Sequence, residues 1–203
     1  MTEHYFSAEP ISDSHERELE IDIAGHSYRI QTSSGIFSPD GLDKGTAVLL
    51  HKGGLPELTT GARIVDLGCG WGPLTLALAA HYPDAHVYGI DVNARARTLA
   101  AHNAARAGYN NVTITEDASL TDIDLLWSNP PIRIGKSALH NLLSHWLDRL
   151  APHGVAYLVV QRHLGADSLL SWLQESGYPA DKVGSQKGFR VLRVYGCGVA
   201  SSR

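Results

Sequence analysis

The chain of 203 residues is poor in the residues that build disulfide frameworks and zinc sites. It has two cysteines, Cys69 and Cys197, and neither belongs to a C-x-x-C pair. Its histidines are scattered along the chain, and none forms an H-x-x-x-H pair on a predicted helix. We therefore expect neither a disulfide framework nor a metal site.

Long apolar runs and an excess of positive charge are also missing. No stretch reaches the length of a membrane span, and the polar N-terminus lacks the apolar core of a signal peptide. These two absences predict a soluble, cytoplasmic protein. The net charge of −4 argues against a broadly basic nucleic-acid surface, although it is compatible with local basic patches.

The chain does contain a glycine loop between a short apolar strand and an apolar helix. The strand is predicted at Arg63–Leu67, and Gly68, Gly70 and Gly72 follow at alternate positions. Pro73 then suits the first turn of a helix rich in leucine and alanine. Strand, glycine turn and helix are typical of the opening of a nucleotide-binding βαβ unit.

Two details of this loop select the cofactor class. Pro73 stands where the NAD fingerprint G-x-G-x-x-G requires its third glycine. Asp66, at the end of the strand, would repel a pyrophosphate, whereas it suits a cationic ligand with an amino group and a sulfonium. An NAD-dependent oxidoreductase is therefore disfavoured. A glycine turn with no ligand is the structural alternative.

The run from Val65 to Gly72 resembles motif I of class I S-adenosylmethionine-dependent methyltransferases. This resemblance implies cofactor contacts at the following positions of the loop: Asp66, Gly68, Cys69, Gly70 and Gly72.

Downstream acidic residues complete the expected cofactor site. Asp91 follows the glycines by about 20 residues, the position of a carboxylate that accepts from the ribose hydroxyls. Val92 is placed beside it in the same site. The resemblance further implies that Asp117 accepts from the adenine amine and that Ala118 donates its main-chain N–H to the ring. A helix N-cap is the alternative role for Asp91, and a turn residue is the alternative for Asp117.

Alternating strand and helix patterns continue through the rest of the chain. They predict an α/β fold: a doubly wound, mostly parallel, seven-stranded Rossmann-like sheet. One of its helices is predicted over residues 137–150 and the strand after it over residues 154–161. Alternation around Gly25 predicts a small β-hairpin. We divide the chain into an N-terminal hairpin extension, residues 1–34, and a methyltransferase domain, residues 35–203.

The predicted catalytic residues are Asn129, Pro130, Pro131 and Ile132, at the end of the fourth strand of the sheet. Because ligands collect at the carboxyl ends of parallel strands, this tetrapeptide should meet the glycine loop. It resembles motif IV of methyltransferases that modify planar amine or amide nitrogens. The Asn129 oxygen, with a main-chain carbonyl such as that of Pro130, would accept the two N–H groups of such an acceptor. A bare turn is the alternative reading.

A larger resemblance covers most of the chain. Residues 35–45 and the opening at residues 4–7 are similar to the methyltransferase small domain family, in particular its RsmC-type ribosomal RNA guanine-N2 methyltransferases. The similarity implies that Phe37, Asp43 and Gly45 lie by the cofactor. It also implies transfer to N2 of a guanine in small-subunit ribosomal RNA, with that RNA or the small subunit as partner.

The chain departs from this family at two points. Ile132 replaces the aromatic residue that would stack on the target base, and Phe37, Trp71 and Trp127 are candidate substitutes. The two-domain members also carry a further N-terminal half, so the RNA contacts would have to come from basic residues here. The candidates are Arg133, Lys136, Arg162, His163, Lys187, Arg190 and Arg193.

Two further functions are compatible with the same motifs. The Asn-Pro-Pro chemistry equally suits an amide-nitrogen methyltransferase acting on a protein glutamine. A non-catalytic RNA-binding module could also retain the fold. The sequence favours an S-adenosylmethionine-dependent N-methyltransferase.

Overall fold

The computed structural model describes residues 16–33 and 41–197. Phe37, the opening at residues 4–7 and the proposed domain boundary at residues 34 and 35 lie outside the described residues. Within the described part of the chain there are nine strands, five α-helices and two short 3-10 helices. The strands are β1 (Glu16–Ile23), β2 (His26–Ser33), β3 (Arg63–Leu67), β4 (His86–Ile90), β5 (Val112–Thr115), β6 (Ile123–Ser128), β7 (Leu150–Gln161), β8 (Ala180–Gln186) and β9 (Phe189–Tyr195). The helices are α1 (Lys44–Lys52), α2 (Pro73–His81), α3 (Ala94–Arg106), α4 (Lys136–Leu147) and α5 (Ala166–Glu175).

Seven strands form one sheet, in the order β5-β4-β3-β6-β7-β9-β8. The first five in that order pair in parallel, and β9 pairs antiparallel with both β7 and β8. The doubly wound, mostly parallel fold is therefore confirmed. The chain leaves β3 towards β4 and β5, then returns to the other side of β3 with β6. This reversal creates a crevice at the carboxyl ends of β3 and β6, where such folds bind ligands.

Apolar clusters on both faces of the sheet hold the helices in place. On one face, Leu143 and Trp146 of α4 and Leu169 of α5 are buried against β6 and β7. On the other face, Leu49 of α1 and Leu74 of α2 pack against the sheet. The sheet is thus the middle layer of three, and its central strands are buried on both sides. None of the described helices could span a membrane.

The predicted hairpin is confirmed as β1 and β2, which pair antiparallel around a turn at Ala24 and Gly25. Its apolar residues share a core with the glycine loop, α2 and α3; Ile23 and Ile30 are buried there with Trp71 and Leu99. The hairpin thus packs directly on the element that carries the glycine loop. Its separation as an N-terminal extension stays a prediction.

Asn103 on α3 ties these parts together. Its Oδ1 accepts from the Gln31 N–H at 2.7 Å, and its Nδ2 donates to the carbonyls of Gln31 and Trp71, both at 2.9 Å. The side chain is buried, with 2% of its surface exposed. The Asn103 carboxamide therefore forms hydrogen bonds with backbone groups of both the hairpin and the glycine loop.

Two predicted boundaries around α4 were wrong. The helix ends at Leu147, and Leu150, which was expected to lie in it, is the first residue of β7. Leu150 pairs with Ile123, and the Ile123 N–H donates to the Arg149 carbonyl at 2.9 Å. Pairing with β6 thus places in a strand residues whose local sequence pattern continues the helix. The same strand begins four positions before the predicted Gly154.

Replacing Asn103 by alanine should weaken the attachment of the hairpin. We expect Asn103→Ala to lower the free energy of unfolding by about 1–3 kcal/mol, because buried backbone groups of Gln31 and Trp71 lose their partners. Asn110→Ala is the control, since Asn110 is exposed. Urea denaturation of both variants measures the difference, and equal midpoints would contradict this role of Asn103.

Candidate active site

A cavity of about 480 Å³ opens at the carboxyl ends of the parallel strands. This is within the size range of small-molecule and cofactor sites. Most of the residues predicted for the site line it: Asp43, Gly68, Gly70, Asp91, Val92, Asp117, Asn129, Pro130, Pro131 and Ile132. A small cavity of about 30 Å³ shares Asp43, Gly68, Gly70 and Asn129 with it and reaches Asp66 and Cys69.

Three predicted cofactor residues do not line either cavity: Gly45, Gly72 and Ala118. Gly72 has a φ of +95°, and a Cβ there would lie 3.3 Å from the Ala100 Cβ, so this glycine allows α2 and α3 to pack closely. The Ala118 N–H, expected to reach the adenine ring, donates to Asp117 Oδ1 at 2.8 Å. Their cofactor roles stay predictions, and the contacts seen are structural.

Most N–H groups of the glycine loop are already occupied. Gly68 and Cys69 donate to the Ile90 carbonyl at 2.8 and 2.9 Å, and Gly70 donates to Asp91 Oδ2 at 2.9 Å. A dinucleotide-binding loop needs such N–H groups for its pyrophosphate. Their engagement here agrees with the sequence-based rejection of NAD.

Asp66 gives the small cavity a negative wall. Its side chain is fully buried, Thr75 Oγ1 donates to Oδ2 at 2.6 Å, and Oδ1 has no hydrogen-bond partner among the described residues. Burial raises the pKa of Asp66 to about 7, and the charge of the nearby Asp91 adds to the increase. An unpartnered buried carboxylate oxygen fits a ligand that brings a positive charge or an N–H donor. Burial also raises the pKa of the Cys69 thiol, so this cysteine stays protonated.

Asp91 lines the large cavity. Besides the Gly70 N–H, it accepts the Asn93 N–H on Oδ1 at 2.8 Å. Helix α3 is capped by Asn93 itself, so Asp91 is not the N-cap. Each Asp91 oxygen retains a free lone pair, and the predicted role as acceptor of ribose hydroxyls is compatible with these contacts.

The end of the cavity at Asp117 contains residues that the sequence analysis missed. Leu142, His145 and Trp146 of α4 form the wall there. Arg149 connects them to the acidic side, since its guanidinium lies 5.0 Å from the Trp146 ring and 3.7 Å from Asp117 Oδ1. The sequence predicted this helix, but no local signal separates a core-facing from a cavity-facing leucine on it.

Asn129 is held in one orientation by α1. Its Nδ2 donates to Asp43 Oδ2 at 2.8 Å and to Thr46 Oγ1 at 3.2 Å. A carboxylate only accepts hydrogen bonds, so the amide nitrogen must face Asp43 and Oδ1 is left for another donor. Asp43 also caps α1 by accepting the Gly45 and Thr46 N–H groups. The structure thus gives Asp43 a positioning role that the sequence did not indicate.

The two prolines after Asn129 shape a tight turn. The Pro130 carbonyl, proposed as the second acceptor, accepts the Ile132 N–H at 2.8 Å, and the Pro131 carbonyl accepts the Ile134 N–H at 3.1 Å. One lone pair of the Pro130 carbonyl remains for the acceptor nitrogen.

Two candidate replacements for an aromatic at position 132, Trp71 and Trp127, are not at the large cavity, and the third, Phe37, lies outside the described residues. Trp71 and Trp127 are 2% and 1% exposed and do not line it. Trp127 instead packs edge-on against Tyr157. Phe189, the first residue of β9, lines the cavity and was not singled out from the sequence.

The predicted basic residues divide into two groups. Arg133, Lys136, Arg162, His163 and Lys187 are exposed. A hydrogen bond of 2.8 Å from the Arg162 N–H to the Gly188 carbonyl brings the end of β7 beside the β8–β9 turn. Arg190 and Arg193 are instead ion-paired with Asp167 and Asp181, so they are poor candidates for phosphate contacts.

Asp66 should make cofactor binding pH-dependent. The folded-state pKa of about 7 exceeds the ordinary value of 3.8, so the neutral form stabilises the ligand-free fold. The stability that Asp66 contributes to the ligand-free protein is complete below about pH 4 and is lost as the pH rises through 7. A bound cation favours the ionised carboxylate over the neutral form. The affinity for S-adenosylmethionine should therefore increase between pH 6 and 8, as Asp66 loses its proton.

Asp66→Asn tests this linkage. Relative to wild type, the variant should gain thermal stability above pH 7 and lose the pH dependence of S-adenosylmethionine affinity. Thermal melts from pH 5 to 9 and calorimetric titrations at pH 6 and 8 measure both effects. A parallel pH profile for wild type and variant would exclude Asp66 as the titrating group.

Gly45 is tightly packed against three other residues of the site. A Cβ there would lie 2.9 Å from Asp43 Oδ2, 3.0 Å from Phe189 Cε1 and 3.1 Å from Asn129 Nδ2. Gly45→Ala should therefore destabilise the fold by about 1–3 kcal/mol through overpacking, although alanine favours helix. Gly184→Ala is the control, because the atoms nearest to its Cβ belong to the Lys52 side chain, at 3.2 to 3.6 Å, and none is closer than 3.0 Å. Chemical denaturation compares them; a stabilised Gly45→Ala variant would show that this packing is loose.

Comparison with known proteins identifies the family of this chain. Residues 27–193 match the family model for the methyltransferase small domain. A Bacillus subtilis protein described as uncharacterized, YbxB, is 31% identical over 200 residues, covering 96% of this chain and 98% of its own length. The ribosomal RNA small subunit methyltransferase C of Pseudomonas entomophila is 32% identical over 201 residues, and this chain spans 58% of its length.

A solved structure supports the fold. The 16S rRNA N2 methyltransferase RsmC of T. thermophilus, in complex with AdoMet and guanosine, superposes with a TM-score of 0.74 over 92% of this chain and 52% of its own. The sequence identity is 21%, so this likeness concerns the fold. The family match covers the glycine loop, the acidic residues and the Asn-Pro-Pro turn. The chain belongs to the methyltransferase small domain family and is an S-adenosylmethionine-dependent methyltransferase.

Proposed function

We propose that the protein methylates the exocyclic N2 amine of a guanine in small-subunit ribosomal RNA. The observation that carries the proposal is the fixed carboxamide of Asn129, whose nitrogen is held by Asp43 and Thr46. Its oxygen is thereby preorganised to accept an N–H from a planar amine at the wall of the cavity.

Two acceptors suit the geometry of an amine conjugated to a ring. The lone pair of such a nitrogen is delocalised, so it is a weak nucleophile. Asn129 Oδ1 and the remaining lone pair of the Pro130 carbonyl can each take one N–H, which orients the nitrogen for attack. Orientation and preorganised dipoles supply this part of the rate without a strong base.

The acidic walls of the cavity suit the methyl donor. S-adenosylmethionine, when bound, supplies an electrophilic methyl group on a positively charged sulfur. Asp66 and Asp91 provide negative charge beside the glycine loop, while Asp117 lies at the far end of the same cavity. Asn129 is half-buried and lines the large cavity together with Pro130, so a base that enters the cavity can reach both acceptors.

The exposed basic residues support RNA as the acceptor. Arg133 lines the cavity, and Arg162 and Lys187 lie at neighbouring loops of the same sheet edge. Phosphate contacts of this kind position the RNA without reading its sequence. The relatives named as ribosomal RNA methyltransferases favour the same acceptor, although this chain spans only part of their length.

Nucleoside mass spectrometry tests the proposal. Small-subunit and large-subunit ribosomal RNA would be purified from cells with and without the gene, digested, and analysed for N2-methylguanosine. We expect one N2-methylguanosine to disappear from the small-subunit RNA of the deletion strain and to return when purified protein and S-adenosylmethionine are added. Unchanged RNA together with methyl label in a protein would replace this function by amide methylation.

Asn129→Ala separates catalysis from cofactor binding. Loss of the positioned acceptor should lower turnover on small-subunit RNA by about 10²-fold or more. The affinity for S-adenosylmethionine, measured by calorimetry, should change little, and Asn110→Ala should match wild type in both assays. Unchanged turnover in Asn129→Ala would remove this residue from the mechanism.

A further inference from the structure

Ile132 leaves the acceptor end of the cavity without the aromatic residue expected after Asn-Pro-Pro. Two other cavity aromatics, His145 and Trp146, are at the opposite end, because Arg149 links Trp146 to Asp117. Among the described residues, Phe189 is the aromatic side chain that lines the cavity near Asn129.

Phe189 is placed close to the catalytic amide. Its Cε1 and Asn129 Nδ2 both lie within 3.1 Å of the point where a Gly45 Cβ would be. The side chain is half-buried, so part of the ring is available to a ligand in the cavity. A base whose amine is held by Asn129 therefore lies within reach of this ring.

Gln161 is the direct cross-strand partner of Phe189. The two residues pair between β7 and β9, and directly opposed residues of an antiparallel pair project from the same face of the sheet. Gln161 also lines the cavity and is half-buried. Across residues 16–33 and 41–197, no group hydrogen-bonds to its carboxamide, so both its donor and its acceptor are free.

A free carboxamide beside the acceptor amine matches the edge of guanine. The N2 amine is followed along that edge by the N1–H donor and the O6 acceptor. With N2 at Asn129, the Gln161 oxygen can accept from N1–H and its NH2 group can donate to O6. A glutamine is able to read such a donor–acceptor pair with two hydrogen bonds.

We infer that Phe189 and Gln161 form the recognition pair for the acceptor base: the Phe189 ring packs on its face, and the Gln161 carboxamide reads N1–H and O6. This inference rests on the proposed function. It assigns the stacking role to β9 and explains how the chain works with an isoleucine at position 132.

The role of Phe189 is tested by a pair of substitutions. Phe189→Leu keeps an apolar side chain but removes the ring, whereas Phe189→Tyr keeps the ring. We expect kcat/KM on small-subunit RNA to fall about tenfold or more in Phe189→Leu and to stay near wild type in Phe189→Tyr. Calorimetry with S-adenosylmethionine and thermal melting confirm that both variants fold. Equal activity of the leucine and tyrosine variants would overturn the stacking role.

The role of Gln161 is tested with a modified base. The target guanine is replaced by 2-aminopurine, which keeps the N2 amine but lacks the N1–H donor and O6. Wild type should prefer guanine by roughly tenfold or more, because 2-aminopurine loses both hydrogen bonds to Gln161, and Gln161→Ala should reduce this preference to about twofold or less. Gln186→Ala is the matched control, because Gln186 pairs with Phe189 from β8 and does not line the cavity.

The outcomes separate the inference from the proposed function. If wild type methylates the RNA and Gln161→Ala keeps the full preference for guanine, base reading by Gln161 is refuted while the proposed function stands. If wild type labels no RNA, both are refuted. A Gln161→Ala variant that is slower on guanine and unchanged on 2-aminopurine is the supporting result.

Discussion

The hydrogen bond from Asn129 Nδ2 to Asp43 Oδ2 spans 86 positions of sequence and fixes the chemistry of the site. Without it, the carboxamide could turn either its donor or its acceptor towards the cavity. Because Asp43 also caps α1, the orientation of Asn129 is tied to the position of a whole helix. An amine that enters the cavity then meets an acceptor that needs no rearrangement.

The site has different electrostatic properties on the two sides of this hydrogen bond. On the glycine-loop side, backbone donors are used internally and the free groups are carboxylates, so a cation is favoured over a phosphate. On the acceptor side, Gln161, Phe189 and Pro130 offer neutral polar groups and an apolar ring. The glycine-loop side of the crevice therefore suits a cationic ligand, and the other side suits a neutral one.

Local sequence patterns predicted the elements well where burial is periodic. The strand at Arg63–Leu67, the glycine loop and the hairpin were placed correctly because their backbone angles and apolar spacing are set within a few residues. Leu150 was misplaced because its pairing with Ile123 depends on a strand far along the chain. Phe189 and Gln161 were missed for the same reason, since neither belongs to a recognisable motif.

The sequence by itself determined the cofactor class, through the run from Val65 to Gly72, and it predicted a planar amine or amide nitrogen as acceptor, through Asn-Pro-Pro. These properties follow from the chemistry of a few adjacent residues. Only the tertiary structure decided which way the Asn129 amide faces, which aromatic lines the cavity near Asn129 and which of the candidate arginines have carboxylate partners. Those properties depend on contacts between distant segments, which packing creates and which no local pattern encodes.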